Sequence, residues 1–251
     1  MRKILVIGIG AGDPDHLTLQ AVKALGRVDV FFVIDKGAAK EDLVRLRTDI
    51  CERHMHGRPY RFVEIPDPER DRSASDYQAA VEAWREQRAD VCEQAIRDEL
   101  DEDGCGAFLV WGDPALYDGT MSVIERILAR GKLEVEYEVI PGISSVQALA
   151  ARHRIPLNRV GGQVQITTGR RLREGVPDCD DVVVMLDGDC AFKTLTDEGI
   201  DIYWGAYVGT DDEILIKGEL SEVAGEIERV RAQARRRKGW IMDTYLLRRK
   251  H

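Results

Sequence analysis

ILVIGIGAGDPDHLTLQA, residues 4–21, is the stretch on which the fold turns. Four apolar residues, Ile4 to Ile7, run into the alternating glycines Gly8, Gly10 and Gly12. Leu17, Leu19, Val22 and Leu25 then fall near helical spacing, and Gly26 suits the end of that helix. DVFFVID, 29–35, is a second continuous apolar run. Two strands apolar on both faces, joined by a helix, predict a parallel sheet covered on both sides.

Working outward, residues 36–55 read as helical, PYRFVEIPDP (59–68) as a third strand, and CGAFLVWGDP (105–114) as a fourth. Residues 73–100 form a long amphipathic pattern, with Ser73 or Ser75 as a possible cap. The second half changes character. A helix over 122–131, a strand over 135–142 and an Ala-rich helix over 144–155 lead to strand candidates at 164–169, 181–186, 201–209, 213–220 and 239–247, with a long helix over 221–237. Polar alternation, as at Glu136, Glu138 and Thr167, suggests a mixed or largely antiparallel sheet. The expectation is an α/β protein of two α/β domains, 1–118 and 119–251, the first parallel and the second mixed. The default ligand site is the cleft between them.

The 251 residues are 44% hydrophobic and carry a formal net charge of −9. An acidic chain is a poor partner for nucleic acid, whose binding depends on phosphate neutralisation by Lys and Arg, and for an anionic membrane surface. No run approaches the roughly 20 apolar residues of a spanning helix. The apolar run after MRK is too short for a signal peptide and reads as the first strand of a cytoplasmic protein. Cys51, Cys92, Cys105, Cys179 and Cys190 are scattered, with no CxxC pair, so they read as reduced structural thiols and not as a metal site.

The opening loop invites comparison with a dinucleotide-binding turn, and Asp35 ends the second strand where a ribose-binding carboxylate would stand. The pattern is GxGxG, however, with Asp13 where the last glycine of GxGxxG belongs. Asp13 and Asp15, flanking Pro14, would suit a helix N-terminus but repel a pyrophosphate. A tight strand-to-helix turn fits better. An NAD-dependent oxidoreductase is the rival reading from another class.

Three later loops carry more information. VWGDPALYDG (110–119) follows a buried strand, at the end where open α/β sheets bind ligands. Gly112 permits close approach to the backbone and Pro114 stiffens the turn; an ordinary type I turn is the plainer alternative. EVIPGISSVQALA (138–150) places Ser144 or Ser145 at a helix start, as caps or as cleft-lining hydroxyls. DVVVMLDG (181–188) ends a buried strand with Met185 and Asp187 at its tip; Met185 by itself reads as core. His54 and His56 lack a third ligand nearby and read as solvated, as does the basic run ARRRKGW (234–240).

Together GIGAGDPDHLT, GDPALY, PGISSVQALAARHRIPL and WGAYVGTDDEILIKGEL resemble, in order and spacing over nearly the whole chain, the tetrapyrrole methyltransferase family. The resemblance implies two α/β domains, homodimers, and methyl transfer from S-adenosylmethionine to corrin or sirohaem precursors. FFVIDKGAAKEDLVRLR, YRFVEIPDPERDR, VVVMLDGDCAF and KGWIMDTYLLRR are most similar to the members of the aerobic cobalamin route that methylate C1 of precorrin-5 and expel acetate. Methylation of another ring carbon is the alternative within the family. The cofactor contacts so implied are Gly112, Asp113, Pro114 and Leu116, then Ser144 and Ser145, then Met185 and the stretch at Tyr207 and Val208, where the family carries smaller residues. The opening loop then becomes a wall of the tetrapyrrole side of the cleft.

Methyl transfer needs positioning and desolvation; acetate release also needs a general base or hydrogen-bonding group. Asp13, Asp35, Asp113 and Tyr117 are the candidates, although Asp113 is also a good turn former and Asp35 a strand-end cap. For the substrate's carboxylates, Lys36, Arg170, Arg171 and Arg173 are candidate clamps, with solvated surface charge as the plainer reading.

Overall fold

In the computed structural model, the described residues form ten strands in two five-stranded sheets, with seven α-helices packed on them. The structure describes residues 1–35, 41–55, 57–69, 71, 76–175, 177–195 and 199–250, with the backbone alone at residues 35, 41–44 and 77. Two units result: Met1–Gly10 with Pro14–Ile143, and Ala11–Asp13 with Ser144–His251.

The first unit holds strands β1 (Arg2–Gly8), β2 (Val30–Asp35), β3 (Arg61–Pro66), β4 (Cys105–Val110) and β5 (Val135–Ile140), in the order β3-β2-β4-β1-β5 and all parallel. Its helices are α1 (Leu19–Leu25), α2 (Glu41–His54), α3 (Tyr77–Glu99) and α4 (Thr120–Arg130). The alternation of strand side chains explains the continuous apolar run of β1. Ile4 and Val6 join a core with Cys92 and Ile96 of α3 and Val123, Ile124 and Ile127 of α4. Leu5 and Ile7 join another with Ala21 and Leu25 of α1 and Ile50 of α2. Each such fully buried aliphatic side chain contributes about 1.5–3 kcal/mol, so a polar residue at any of these four positions costs the core it points into its fit.

The second unit holds α5 (Ser145–His153), β6 (Val164–Thr168), α6 (Gly169–Glu174), β7 (Asp181–Met185), β8 (Ile200–Ala206), β9 (Ile214–Glu219), α7 (Leu220–Lys238) and β10 (Asp243–Arg249). Its sheet order is β6-β7-β10-β8-β9. Only β6 and β7 run parallel; β10 pairs antiparallel with β7 and β8, and β8 with β9, so the sheet is mixed as expected. Trp204, Tyr245 and Phe192 are the largest fully buried side chains of its core, which is closed by Leu220, Ala224 and Ile227 of α7.

Three local expectations change. The boundary expected at Asp118–Gly119 lies inside the first unit, because β5 pairs along its length with β1; the division falls at Ile143–Ser144. Ser73 and Ser75 lie outside the described residues, and α3 is capped by Asp76, whose carboxylate accepts the Ala79 N–H at 3.0 Å. Asp13 and Asp15 do not start α1: a 3₁₀ turn over Pro14–His16 intervenes, and Thr18 Oγ1 caps the helix by accepting the Ala21 N–H at 3.0 Å.

Candidate functional site

In the first unit the loops at the carboxyl ends of β1, β4 and β5 meet backbone to backbone. Gly10 and Gly112 exchange hydrogen bonds, Gly112 N–H to Gly10 O at 2.8 Å and Gly10 N–H to Gly112 O at 3.3 Å. A Cβ on Gly142 would lie 2.2 Å from the Gly112 carbonyl oxygen and 2.8 Å from Gly8 Cα. Gly112 itself has φ +72°, which a side chain would strain. Glycine here is therefore a packing requirement of three converging strands, and the opening motif needs no phosphate to explain it.

Asp113 fastens this junction. One carboxylate oxygen accepts the Gly142 N–H at 2.8 Å and the other accepts the Ala115 N–H at 2.8 Å. Leu116 N–H returns to the Asp113 carbonyl at 3.2 Å. Pro114 is buried and Leu116 half-buried. Tyr117 takes φ +55°, a left-handed conformation uncommon for a bulky residue, and is 47% exposed; burial of its phenol pushes the pKa above the ordinary value. One residue past β4, Trp111 keeps a buried indole N–H with no acceptor among the described residues. Asp35 ends β2, and its side chain lies outside the described residues, as does Lys36.

The second unit includes Ala11–Asp13, apart in the chain from the rest of it. Gly12 (φ +142°) lies against the turn after β8: a Cβ there would come 2.5 Å from Thr210 Cγ2 and 3.1 Å from the Val208 carbonyl oxygen. Asp13 interacts electrostatically with Arg152, which pairs with Glu213 at 2.5 Å. Ser144 caps α5, its buried Oγ accepting the Val146 N–H at 3.2 Å and donating to Gln147. Ser145, half-buried, stands at the first position of the helix.

Tyr207 and Val208 are buried. Tyr207 turns the chain at φ +50°, and its hydroxyl donates to the Trp240 carbonyl at 2.6 Å, so its ring belongs to the core. Burial raises its phenol pKa, with Lys238 pulling the other way. Lys238 Nζ lies 5.5 Å from that ring's centroid and pairs with Asp212, and Arg237 also pairs with Asp212 at 2.7 Å. The basic run at the end of α7 is thus partly tied down and not simply a solvated face.

At the tip of β7, Met185 is half-buried and Leu186 is 66% exposed at φ +53°. The loop is held from beneath. Asp187 Oδ2 accepts from the Tyr245 hydroxyl and the Ala191 N–H, both at 2.7 Å, and Oδ1 from the Asp189 N–H at 3.0 Å. Arg231 donates to the carbonyls of Asp187 at 2.6 Å and Gly188 at 3.3 Å, and pairs with Asp243 at 2.8 Å. Burial pushes the Asp243 carboxyl up, against the pull of Arg231. This network was not expected from sequence; DVVVMLDG gives no sign that its aspartate is met by residues of β10 and α7.

Of the expected clamps, Arg171 pairs with Glu174 at 2.7 Å and Arg173 pairs with Asp189, all four side chains being exposed. Arg170 is exposed on the same short helix. His54 closes α2 and His56 lies outside the described residues. Among the described residues no three His, Cys, Asp or Glu side chains are grouped to hold a metal ion, and no helix is long and apolar enough to cross a membrane. All five cysteines are free, and burial pushes Cys51 and Cys92 up to about 12.

A family model described as Tetrapyrrole (Corrin/Porphyrin) Methylases matches residues 3–224. The chain is 52% identical over 249 residues to a Sinorhizobium sp. protein named precorrin-6A synthase [deacetylating], covering 99% of this chain and 95% of that protein. A crystal structure of a Corynebacterium diphtheriae protein related to cobalamin synthesis (CobF) superposes with a TM-score of 0.86 at 40% identity, covering 99% of this chain and 98% of the other. A uroporphyrin-III C-methyltransferase from Thermus thermophilus, crystallised with S-adenosylhomocysteine, shares the fold with a TM-score of 0.59 at 17% identity, over 98% of this chain and 91% of that one.

Proposed function

The chain belongs to the tetrapyrrole (corrin/porphyrin) methylase family, and from that membership we propose that it is an S-adenosylmethionine-dependent C-methyltransferase of cobalamin biosynthesis. The reaction is methylation of C1 of precorrin-5 with release of acetate, giving precorrin-6A. The single observation that carries this reading is the 52% identity, over nearly the full length of both chains, to precorrin-6A synthase [deacetylating].

The residues fit a cofactor without phosphates. Pro114 has no N–H, and both oxygens of Asp113 are turned to amides. At the start of α4 the Asp118 carboxylate accepts the Thr120 N–H at 2.8 Å, occupying the place where a phosphate would bind. When bound, S-adenosylmethionine supplies a methyl group on a positively charged sulfur. The chain's task is to orient it and exclude water, since charge disperses as the methyl moves. Gly112, Asp113, Pro114, Leu116, Ser145 and Met185 are the proposed contacts, Asp113 as the residue that sets the loop. Ser144, Tyr207 and Val208 take part through their backbone, because the Ser144 hydroxyl is spent on capping and the other two side chains are buried.

For acetate release, Tyr117 is a proton or hydrogen-bond donor and not a base at neutral pH, since its phenol is pushed up. Asp13 and Asp35 remain the proposed bases. The proposal extends to a cytoplasmic homodimer. Calorimetric titration with S-adenosylhomocysteine and, separately, NAD tests the reading: binding of the first and not of the second is expected, and the reverse overturns it.

A further inference from the structure

We propose that Arg47 anchors a carboxylate of the substrate at the carboxyl end of the first sheet. The inference rests on the reading of the substrate as a polycarboxylate tetrapyrrole. It comes from the way β2 and β4 part. β2 pairs with β3 over six residues, Val30 to Asp35, but with β4 over three, ending at Phe32 and Phe108. Beyond that point the Leu109 carbonyl accepts from Arg47 Nε, at 3.2 Å, where a neighbouring strand would otherwise donate. The guanidinium of α2 therefore reaches the sheet at the carboxyl end of β4.

This place has the topology of a ligand crevice. β2 leads into α2, which packs on the Leu5 and Ile7 face, and β4 leads into α4, which packs on the Ile4 and Val6 face. Where adjacent parallel strands continue to opposite faces, the crevice outside their carboxyl ends is the usual binding position. Arg47 attracts Asp118, at the far end of the 112–118 loop, and burial lowers its pKa against that attraction. From the other face Arg88, paired with Asp67 at 2.9 Å and lying 4.6 Å over the Trp84 ring, brings its Nη1 to 4.0 Å from where a Gly119 Cβ would stand. A chain of net charge −9 thus sets two fixed guanidinium groups beside this loop. A carboxylate suits the planar fork of arginine, which can donate two parallel N–H bonds.

The experiment is steady-state kinetics of wild type, Arg47→Gln and Arg47→Lys with enzymatically prepared precorrin-5, beside calorimetry with S-adenosylhomocysteine. Arg27→Gln, whose ion pair with the exposed Glu138 lies outside the crevice, serves as control. Arg47→Gln is expected to raise KM about tenfold to a hundredfold with kcat within threefold and unchanged S-adenosylhomocysteine affinity. Arg47→Lys should recover part of the loss, and the rise of wild-type KM with salt should flatten in Arg47→Gln. An unchanged KM in Arg47→Gln, or an equal loss of cofactor affinity, overturns the anchor while leaving the function intact. If Arg47→Gln does not fold, Arg47→Lys decides: a KM equal to wild type with an unchanged salt response overturns the anchor. A wild-type enzyme that does not turn over precorrin-5 overturns the function reading, and the anchor with it.

Discussion

Asp113 holds the Gly142 N–H at 2.8 Å, and so ties the loop after β4 to the end of β5. Its second oxygen holds the Ala115 N–H, so the side chain shapes the loop from both ends. Asp113→Asn keeps one acceptor and turns the other into a donor facing an N–H. A loss of about 1–3 kcal/mol is expected, read by urea denaturation. As a positioning residue, its loss should weaken S-adenosylhomocysteine binding and slow methylation and acetate release together. Loss of acetate release alone would make Asp113 the base instead.

Gly142 tests the glycine junction. With the Gly112 carbonyl 2.2 Å from a would-be Cβ, and backbone rather than a flexible side chain in the way, Gly142→Ala must push two strand ends apart. The expected cost is at least about 3 kcal/mol, seen as a lowered urea midpoint. A variant as stable as wild type would show that the strand ends are not packed this closely.

Tyr245→Phe removes one donor from Asp187 and leaves the buried carboxylate its two amides. About 1–3 kcal/mol of stability should be lost. Because Asp187 sets the loop that follows Met185, affinity for S-adenosylhomocysteine should fall as well. Unchanged affinity in a destabilised variant would confine the network to folding.

His153 gives the second unit a pH dependence. The ring is buried, its Nε2 donates to the Trp204 carbonyl at 3.0 Å, and its pKa lies below the ordinary 6.5. Burial is the main cause; Lys217 acts in the same direction, and the Trp204 bond and Glu213 against it. The unfolded chain therefore binds the proton more readily. Stability is unaffected above 6.5 and falls as pH drops below it, by up to about 1.4 kcal/mol per unit, until the folded pKa is passed. Thermal melts of wild type and His153→Gln between pH 7 and about 5 should diverge in this way; parallel curves would contradict it.

β1, β2 and β4 are buried on both faces, and their continuous apolar runs announce a parallel sheet without ambiguity. β5 reads from sequence as part of the second sheet, whereas it pairs with β1, and the reason is physical. It is an edge strand, pairing with β1 alone, so its Glu136 and Glu138 face solvent in ion pairs with Lys3 and Arg27. That polar alternation resembles an antiparallel strand. The loops GDPALY and PGISS stand out because turns and caps need particular residues locally. Arg47, Asp187 and Arg231 do not, because what makes each of them matter lies 12 to 62 residues away in the chain and becomes visible only when the strands are paired.

The reaction itself is open to direct measurement. Incubating the protein with precorrin-5 and S-adenosylmethionine carrying a labelled methyl group, then analysing the products by mass spectrometry and assaying acetate, tests it most directly. One labelled methyl per macrocycle at C1 and one acetate released per turnover are expected. Transfer to a different ring carbon without acetate, or no transfer to precorrin-5 by a protein that binds S-adenosylhomocysteine, would contradict it.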